Sequence, residues 1–323
     1  MIIVEGLTKD YGSRRAIHDL SFHAKKGEIL GFLGPNGAGK TTTMRILSGY
    51  MPPSYGNAVI GGFNVVENSL DVRKLVGYMP ETVPLYSDMT IFDYLKYMAE
   101  LHNVRKSADR VAEVIEMVHL EERAESYISN LSKGMRQRVG LAQAIIHKPE
   151  VLILDEPTIG LDPAQIIEVR NLVREIGKEH TVLLSTHILT EAQQICDRVI
   201  IINNGHIVAE DSPERLQARL SGALRVQVQI RGEIEELLPI LSKIPGITNI
   251  QSQTDNSLEF ETSPGIDLRP TVAKTIIQSG FDLLDFHPAT MSLEEIFLEL
   301  THDEPSKLEL ADIQPVDVID ERE

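Results

Sequence analysis

The feature that most constrains the fold of this chain is a glycine-rich segment near its amino terminus. It spans residues 34–41, reads GPNGAGKT, and lies between an apolar run at 29–33 and a segment with helical apolar periodicity. Two glycines five positions apart, followed by Lys-Thr at the start of a helix, are typical of a loop that holds phosphate groups. Backbone N–H groups and the positive end of the helix then surround a polyphosphate. The segment therefore predicts an α/β fold in which a strand, this loop and a helix follow one another.

Each residue of the loop is a candidate ligand of a nucleotide. Lys40 is expected to reach the β- and γ-phosphates, and the hydroxyl group of Thr41 is placed to bind Mg²⁺. A dinucleotide-binding fingerprint fits less well, because the glycines do not follow its order and Lys40 would have no role. A plain glycine-rich turn is the other alternative. The candidate nucleotide-binding residues are Gly34, Pro35, Asn36, Gly37, Ala38, Gly39, Lys40, Thr41 and Thr42.

A second apolar run ends in two acidic residues. Residues 151–154 are all apolar, which is typical of a central parallel strand buried on both faces, and Asp155 and Glu156 follow directly. Open α/β sheets bind ligands at the carboxyl ends of their strands, so we expect both carboxylates to lie near the phosphate loop. Asp155 is suited to hold Mg²⁺, and Glu156 to orient or deprotonate an attacking water. The alternative is that the pair only caps the next helix.

Three further candidates lie in separate parts of the chain. His187 follows a buried strand at 181–186. A histidine there is more often structural, but its place one helix and one strand after the acidic pair favours a γ-phosphate sensor. Glu81 follows a proline that ends a short strand, at the mouth of a loop. Tyr11 lies in a polar segment, 8–13, that we interpret as a turn; its ring is available to stack on a base, and a half-buried tyrosine is the alternative.

A second helix amino terminus is predicted around residue 132. Ser132 resembles a cap and Gly134 follows two positions later, so the end of a helix that runs to residue 146 is offered to an anion. Most helix caps, however, bind only water. Two helices predicted at 90–103 and 107–119 carry no catalytic residues, and we assign their Met and Tyr side chains to the core rather than to a partner groove.

Length, charge and cysteine content limit the class of protein. A chain of 323 residues with 42% apolar content is expected to form two domains. Its net charge of −17 argues against nucleic-acid partners and against a polybasic hold on lipid. Cys196 is the single cysteine, which indicates a reducing compartment and a core position rather than a reactive thiol. No apolar run is long enough to cross a bilayer, so we expect a soluble chain, and any membrane role would have to come through a partner.

The last third of the chain has a different pattern. Strands and helices are predicted in the order βαββαβ from 224 to 287, which is typical of a small ferredoxin-like α+β unit, and a final helix is predicted at 292–301. Because this part lacks a glycine loop and a His or Cys cluster, we interpret it as regulatory or dimer-forming. Residues 303–323 carry eight carboxylates and are expected to be disordered. The predicted division is therefore 1–220, an α/β domain that contains the phosphate loop; 221–302, the accessory domain; and 303–323, an acidic tail.

Taken together, the motifs resemble the ATP-binding subunit of an ABC transporter. The resemblance covers residues 2 to about 220 and is specific, because all the motifs occur in one order. The corresponding segments are 34–41 for the Walker A loop, Tyr11 for the adenine-stacking aromatic residue, 131–135 for the signature loop, 151–156 for the Walker B strand, 160–162 for the D-loop and His187 for the switch histidine. The resemblance implies a RecA-like core with a β-subdomain and a helical subdomain. It is greatest for exporter subunits that have separately encoded membrane chains and an extra C-terminal domain.

The resemblance also implies which residues act on ATP and Mg²⁺. Hydrolysis is assigned to Glu156, His187, Lys40 and Glu81. The metal ion is assigned to Thr41, Asp155 and Glu81. The nucleotide of a second chain is covered by Leu131, Ser132, Lys133, Gly134 and Asp162.

The partners follow from the same resemblance. One chain has one phosphate loop and one signature loop, so a complete site needs a head-to-tail dimer, with a second copy or with a related ATP-binding subunit. A separately encoded transmembrane permease docks near residues 82–100 and keeps the chain in the cytoplasm at the inner face of the cell membrane. ATP binding closes the dimer and hydrolysis reopens it, and the permease converts this cycle into transport, with export the expected direction.

The sequence departs from the family pattern at three positions. Lys133 and Met135 stand where the signature loop usually has glycine and glutamine, whereas Ser132 and Gly134, which approach phosphate, are present. Lys133 adds a positive charge near an anion, and Met135 removes an amide group. We therefore expect this signature loop to bind the nucleotide with a strength different from that of the usual loop. Glu81 replaces a common glutamine, and a carboxylate only accepts hydrogen bonds whereas an amide also donates.

Three rival interpretations explain fewer of the motifs. A non-transport ABC ATPase in DNA repair or translation would be expected to contain a long coiled-coil insertion or two phosphate loops, and the sequence contains neither. A P-loop GTPase would need an Asn-Lys-x-Asp motif to read guanine, which the sequence lacks. A regulatory or scaffold protein that binds ATP without hydrolysing it would not need Glu156.

Overall fold

The structure is a computed structural model that describes residues 1–220, 224–254, 256–262 and 268–289. In chain order, its strands and helices are β1 (Ile2–Tyr11), β2 (Arg14–Ala24), β3 (Ile29–Leu33), α1 (Lys40–Leu47), β4 (Tyr55–Ile60), β5 (Phe63–Asn64), α2 (Ser69–Leu75), β6 (Val76–Met79), α3 (Ile91–Leu101), α4 (Ser107–Met117), α5 (Lys133–Ile145), β7 (Val151–Asp155), α6 (Pro163–Gly177), β8 (Thr181–Thr186), α7 (Leu189–Ile195), β9 (Arg198–Asn203), β10 (His206–Asp211), α8 (Pro213–Leu220), β11 (Leu224–Arg231), α9 (Ile234–Leu241), β12 (Ile247–Thr254), β13 (Ser257–Thr262), α10 (Arg269–Gln278) and β14 (Asp282–Ala289).

The central sheet has six strands in the order β10-β9-β3-β8-β7-β6. All neighbouring pairs are parallel except β10 with β9. Every residue of β3, β7 and β8 is buried, which explains the apolar runs 29–33, 151–154 and 182–184 within them. In the register of the sheet, Leu33 lies opposite Thr186 and Asp155 opposite Ser185. The loops that follow β3, β7 and β8 therefore begin side by side at one edge, and the predicted α/β fold is confirmed.

The segment at 8–13 differs from its prediction as a turn. Strand β1 continues to Tyr11, which pairs with Arg14 of β2, so the turn consists of Gly12 and Ser13 only. The polar residues belong to an exposed end of an antiparallel pair, where Arg15 donates to Asp10 at 2.7 Å. Cross-strand ion pairs of this kind contribute to pairing at a strand end that has no apolar face, so polarity alone does not indicate a loop.

Helices α3, α4 and α5 pack together beside the central sheet. The hydroxyl group of Thr90 caps α3 by accepting a hydrogen bond from the N–H of Asp93 at 3.1 Å. The apolar faces of these helices are buried, as their periodicity predicts, and include Tyr94 and Val114. Cys196 is also buried, as expected for a core residue, and burial raises the pKa of its thiol.

The elements from β11 to β14 form a separate four-stranded antiparallel sheet. Its order is β12-β13-β11-β14, which together with the chain order βαββαβ is the predicted ferredoxin-like topology. Val226, Phe260 and Ile276 belong to its own buried cluster. The helix predicted at 292–301 and the tail at 303–323 lie outside the described residues. Within the described ranges, no helix has both the length and the apolar character needed to cross a membrane.

Candidate functional site

The loop at 34–39 connects β3 to α1 and leaves the end of the helix open. Gly39 has a φ of 109°, and a Cβ atom there would lie 2.8 Å from the carbonyl oxygen of Ala16, so only glycine fits. No side chain caps α1 at this residue. The N–H groups of the first turn, which have no acceptor within the helix, are therefore available to an anion.

The ammonium group of Lys40 is held inside this loop. Its side chain is buried, and Nζ donates hydrogen bonds to the carbonyl oxygens of Gly34 at 2.7 Å and Pro35 at 3.3 Å. Nζ also lies 3.3 Å from Oε1 of Glu156. A buried positive charge thus faces both the loop and the carboxylate that follows β7. Because these contacts are to carbonyl groups and one carboxylate, the ammonium group can exchange them for phosphate oxygens.

Asp155 has the properties of a ligand for a divalent cation. Its Oδ1 accepts hydrogen bonds from Ser185 Oγ at 2.6 Å and from Thr41 Oγ1 at 3.2 Å. Its Oδ2 is buried and has no hydrogen-bond partner among the described residues. Burial raises the pKa of this carboxyl, while the hydrogen bonds from Ser185 and Thr41 act in the opposite direction. A buried, unpartnered carboxylate oxygen beside a hydroxyl group is the donor set that Mg²⁺ prefers, so the residues fit the metal.

Glu156 sits in an unusual backbone conformation directly after β7. Its φ of 51° lies in the left-handed region, which is costly for a residue with a long side chain. Its backbone N–H group donates hydrogen bonds to the carbonyl oxygen of Ser185 at 3.1 Å and to Oγ of the same residue at 3.0 Å. Its Oε2 lies 2.7 Å from Nδ1 of His187. The turn therefore places a buried carboxylate between Lys40, the first residue of α1, and His187, which follows β8.

These loops border an open cavity of about 460 Å³. Predicted site residues that line it are Tyr11, Pro35, Asn36, Gly37, Gly39, Lys40, Thr41, Thr42, Glu81 and Glu156. Gly34, Ala38, Asp155 and His187 are not among the lining residues; the carbonyl of Gly34 contacts Lys40, Ala38 is buried and His187 is exposed. Tyr11 lies at the rim with 46% of its surface exposed, which suits stacking on a flat base.

Several residues at the site were missed by the sequence reasoning. Arg14 and Ala16 of β2 and Ile159 also line the cavity, and Ser185 holds both Asp155 and Glu156. Arg14 could have been found only from the register that pairs it with Tyr11. Ser185 precedes the histidine motif by two residues, but its role depends on the pairing of β8 with β7.

The signature residues lie elsewhere in the chain. Ser132 caps α5 by accepting from the N–H of Met135 at 3.2 Å, and Asp162 caps α6 by accepting from the N–H of Gln165 at 2.9 Å. Ser132 and Gly134 border a second hollow of about 620 Å³. Leu131 is buried and Lys133 is exposed. None of these residues lines the cavity around Lys40 within one chain.

A mainly parallel sheet with a phosphate loop after β3 and two adjacent carboxylates at the carboxyl end of β7 defines a P-loop nucleoside triphosphatase. Comparison with known proteins gives the family. The family model described as ABC transporter matches residues 17–159. The chain is 36% identical over 307 residues to the uncharacterized ABC transporter ATP-binding protein YxlF of Bacillus subtilis (strain 168), covering 94% of this chain and 100% of the relative.

Other relatives agree with this assignment. The bacitracin transport ATP-binding protein BcrA of Bacillus licheniformis is 34% identical, over 91% of this chain and 95% of its own length. A solved structure of the ATP binding subunit of an ABC transporter matches with a TM-score of 0.62 and 31% identity, over 68% of this chain and 93% of that chain. The chain therefore belongs to the ATP-binding proteins of ABC transporters, ATPases whose activity is coupled to transport, and the resemblance seen in its motifs is confirmed.

Proposed function

We propose that the chain binds ATP with Mg²⁺ in the cavity around Lys40 and hydrolyses it with Glu156 as the residue that directs the attacking water. The observation that carries this proposal is the placement of the Glu156 carboxylate, 3.3 Å from Lys40 and 2.7 Å from His187. Lys40 neutralises charge on the β- and γ-phosphates, and the first-turn N–H groups of α1 bind the same oxygens.

The water-directing role follows from the geometry of Glu156. Its carboxylate follows a buried strand, and its backbone N–H group is hydrogen-bonded to Ser185. The side chain therefore loses little conformational freedom when it binds water. The carboxylate accepts from Nδ1–H of His187, which leaves Nε2 of that ring to accept from the water or, when the ring is protonated, to donate to the γ-phosphate. Positioning and charge neutralisation supply most of the rate in phosphoryl transfer.

Thr41, Asp155 and Glu81 are the residues that would hold Mg²⁺. The unpartnered Oδ2 of Asp155 and the neighbouring hydroxyl group of Thr41 support this assignment, and Glu81 lines the same cavity. When bound, the ion supplies positive charge to the phosphate oxygens. Tyr11, at the cavity rim, stacks on the adenine ring.

A complete site requires a second chain. Because Ser132, Gly134 and Asp162 lie away from the cavity of their own chain, we assign them, with Leu131 and Lys133, to the nucleotide of a head-to-tail partner. The partner is a second copy or a related ATP-binding subunit. The amino terminus of α5 then faces the γ-phosphate from the opposite side.

The remaining assignments concern the transporter and the organisation of the chain. Named relatives act in bacitracin transport, in linearmycin resistance and in daunorubicin resistance. By analogy, this chain drives export through a separate transmembrane permease and sits at the inner face of the cell membrane. Residues 1–220 form the ATP-binding domain, 221–302 the accessory domain and 303–323 a tail.

The substitution Glu156→Gln tests the central step. An amide cannot accept a proton or the same pair of charged hydrogen bonds, so we expect steady-state phosphate release to fall by about 100-fold or more. ATP affinity should stay within about threefold, because Lys40 and the loop are unchanged. Glu175→Gln makes the same chemical change at an exposed position of α6 and should leave phosphate release unaltered. Undiminished release from Glu156→Gln would remove this residue from its role.

A further inference from the structure

Glu191 of α7 is a buried carboxylate outside the cavity that the proposed mechanism does not use. Only 3% of its surface is exposed. Its Oε2 accepts hydrogen bonds from Thr158 Oγ1 at 2.9 Å and from Thr186 Oγ1 at 3.0 Å. Both hydroxyl groups are themselves buried. One carboxylate oxygen thus joins two segments that lie far apart in the sequence.

The two threonines flank the proposed reacting groups. Thr158 follows Glu156 by two residues in the turn after β7, and Thr186 directly precedes His187. Thr186 Oγ1 also accepts from the N–H of Ile188 at 3.0 Å, so it fixes the backbone on the other side of the histidine. The segments that carry Glu156 and His187 are therefore tied to a single side chain that contacts neither of them by a hydrogen bond.

This arrangement is costly if its only role is to stabilise the fold. Oε1 of Glu191 is buried without a hydrogen-bond partner among the described residues. Burial raises the pKa of Glu191, against the effect of the two threonine hydrogen bonds. A buried apolar side chain of similar size commonly gives a more stable protein than a buried charged group that lacks some of its hydrogen bonds. A role in function is the better explanation of the carboxylate.

We propose that Glu191 is a positioning residue for hydrolysis: its Oε2 fastens the turn after β7 to the segment before His187, and so sets the distance between Glu156 and His187. The inference rests on the proposed function, because it concerns the alignment of the same two groups. Displacements of about 1 Å at a reacting centre reduce rates by up to about 100-fold.

The substitution Glu191→Leu removes the acceptor while keeping the position filled by a side chain of similar size. In the full chain we expect kcat for ATP to fall on the order of tenfold or more, with KM and ATP affinity within about threefold, because Lys40 and the phosphate loop are untouched. Glu191→Gln retains a carbonyl oxygen that can accept from both hydroxyl groups, so it should restore kcat to within about threefold of the unaltered chain. Thr158→Val and Thr186→Val should each reproduce part of the loss.

Two control variants separate positioning from loss of stability. Ile195→Ala removes core packing from α7 without touching either threonine, and Thr181→Val removes a hydroxyl group that accepts from Gly27 at the opposite end of β8. Both are expected to lower the melting temperature but to leave kcat per folded molecule unchanged. If Ile195→Ala lowers kcat as much as Glu191→Leu does, or if Glu191→Gln is as slow as Glu191→Leu, the positioning role is wrong.

A measurement that does not need turnover keeps this inference distinct from the proposed function. The ring-nitrogen chemical shifts of His187, assigned by loss of its signal in His187→Ala, report its hydrogen bond to Glu156. We expect these shifts to change in Glu191→Leu and to stay constant in Ile195→Ala and Glu191→Gln. Unchanged shifts in Glu191→Leu would overturn the inference whatever the activity of Glu156→Gln. Full turnover by Glu156→Gln, with altered shifts in Glu191→Leu, would overturn the proposed function and leave only the structural tie between the two segments.

Discussion

Glu81 is a cavity residue at a position where the resemblance to the family leads us to expect glutamine. It is exposed and lines the cavity that also contains Lys40 and Glu156. The usual glutamine can donate one hydrogen bond to water and accept another, whereas a carboxylate only accepts. Together with Asp155 and Glu156, Glu81 gives the site a third acidic side chain. Its effect is therefore expected on the metal, on the water and on communication with the permease rather than on the phosphate loop.

The substitution Glu81→Gln is expected to change coupling more than binding. ATP affinity should stay within about threefold, because the contacts of the phosphate loop do not include this residue. The extent to which the permease stimulates ATP hydrolysis should change by a larger factor, because the side chain lies at the mouth of the loop that leads towards 82–100. The measurement is ATPase activity of the reconstituted transporter with and without its transport substrate. Equal stimulation in both forms would count against a coupling role.

At the scale of elements, the sequence predicts what depends on local pattern. Apolar runs identify β3, β7 and β8 because these strands are buried on both faces, and the glycine-rich loop identifies the start of α1. Contacts that depend on register are not predictable in this way. Arg14 reaches the cavity because it pairs with Tyr11, and Glu191 meets Thr158 and Thr186 because α7 packs beside two strand ends. Nothing in the local sequence of these residues distinguishes them from surface or core residues.

The packing of β6 against α5 gives a prediction at the same scale. A Cβ atom on Gly77 would overlap the backbone carbonyl of Ala144 and lie 3.0 Å from Pro149 Cγ. Backbone cannot rotate away as a side chain can, so Gly77→Ala should lower the free energy of unfolding by about 2 kcal/mol. Gly177→Ala, where the new methyl group meets mainly the side chain of Ile29, is the matched control and should cost less. Urea denaturation measures the free energy of unfolding of both variants. Equal losses in the two would show that the close approach of β6 to α5 adds nothing to the cost of a methyl group at residue 77.

At the scale of the whole molecule, buried carboxyl groups affect how stability depends on pH. Burial raises the pKa of Glu191 above its ordinary value of 4.5. A carboxyl group whose pKa is higher in the folded state binds more protons when folded, so its contribution to stability increases as the pH falls towards the unfolded value. Ionised Glu191 therefore destabilises the fold most at neutral and higher pH.

The variant Glu191→Gln should reveal how much ionised Glu191 destabilises the fold. We expect its free energy of unfolding to exceed that of the unaltered chain by about 1 kcal/mol at neutral pH, since the desolvated charge is gone. The difference should shrink as the pH falls towards the ordinary value of 4.5 and should be smallest below it, where Glu191 is protonated in both states. Urea denaturation at several pH values measures the difference, with Glu175→Gln as the exposed control that should show none. A difference that grows on acidification would mean that the carboxylate stabilises the fold at neutral pH.

The proposed head-to-tail dimer predicts that two inactive variants restore each other. Lys40→Ala removes the ammonium group that binds the phosphates but leaves the signature loop unchanged. Ser132→Asp keeps the phosphate loop, and it keeps the cap of α5 because Asp caps a helix as well as Ser does. It places a negative charge next to the phosphate groups bound by the partner chain. Each variant alone should have no intact composite site. In a mixed dimer, the loop of one chain meets the unaltered Ser132 of the other.

Mixing the two variants in equal amounts should therefore recover ATPase activity. Half of randomly formed dimers are mixed and each holds one intact site of two, so about a quarter of the unaltered activity is expected if the sites act independently. Ser132→Asn, which caps the helix without adding charge, is the control and should stay active by itself. If the signature loop acted on the ATP of its own chain, Lys40→Ala and Ser132→Asp would each remain inactive in every mixture, because no chain would hold both intact parts.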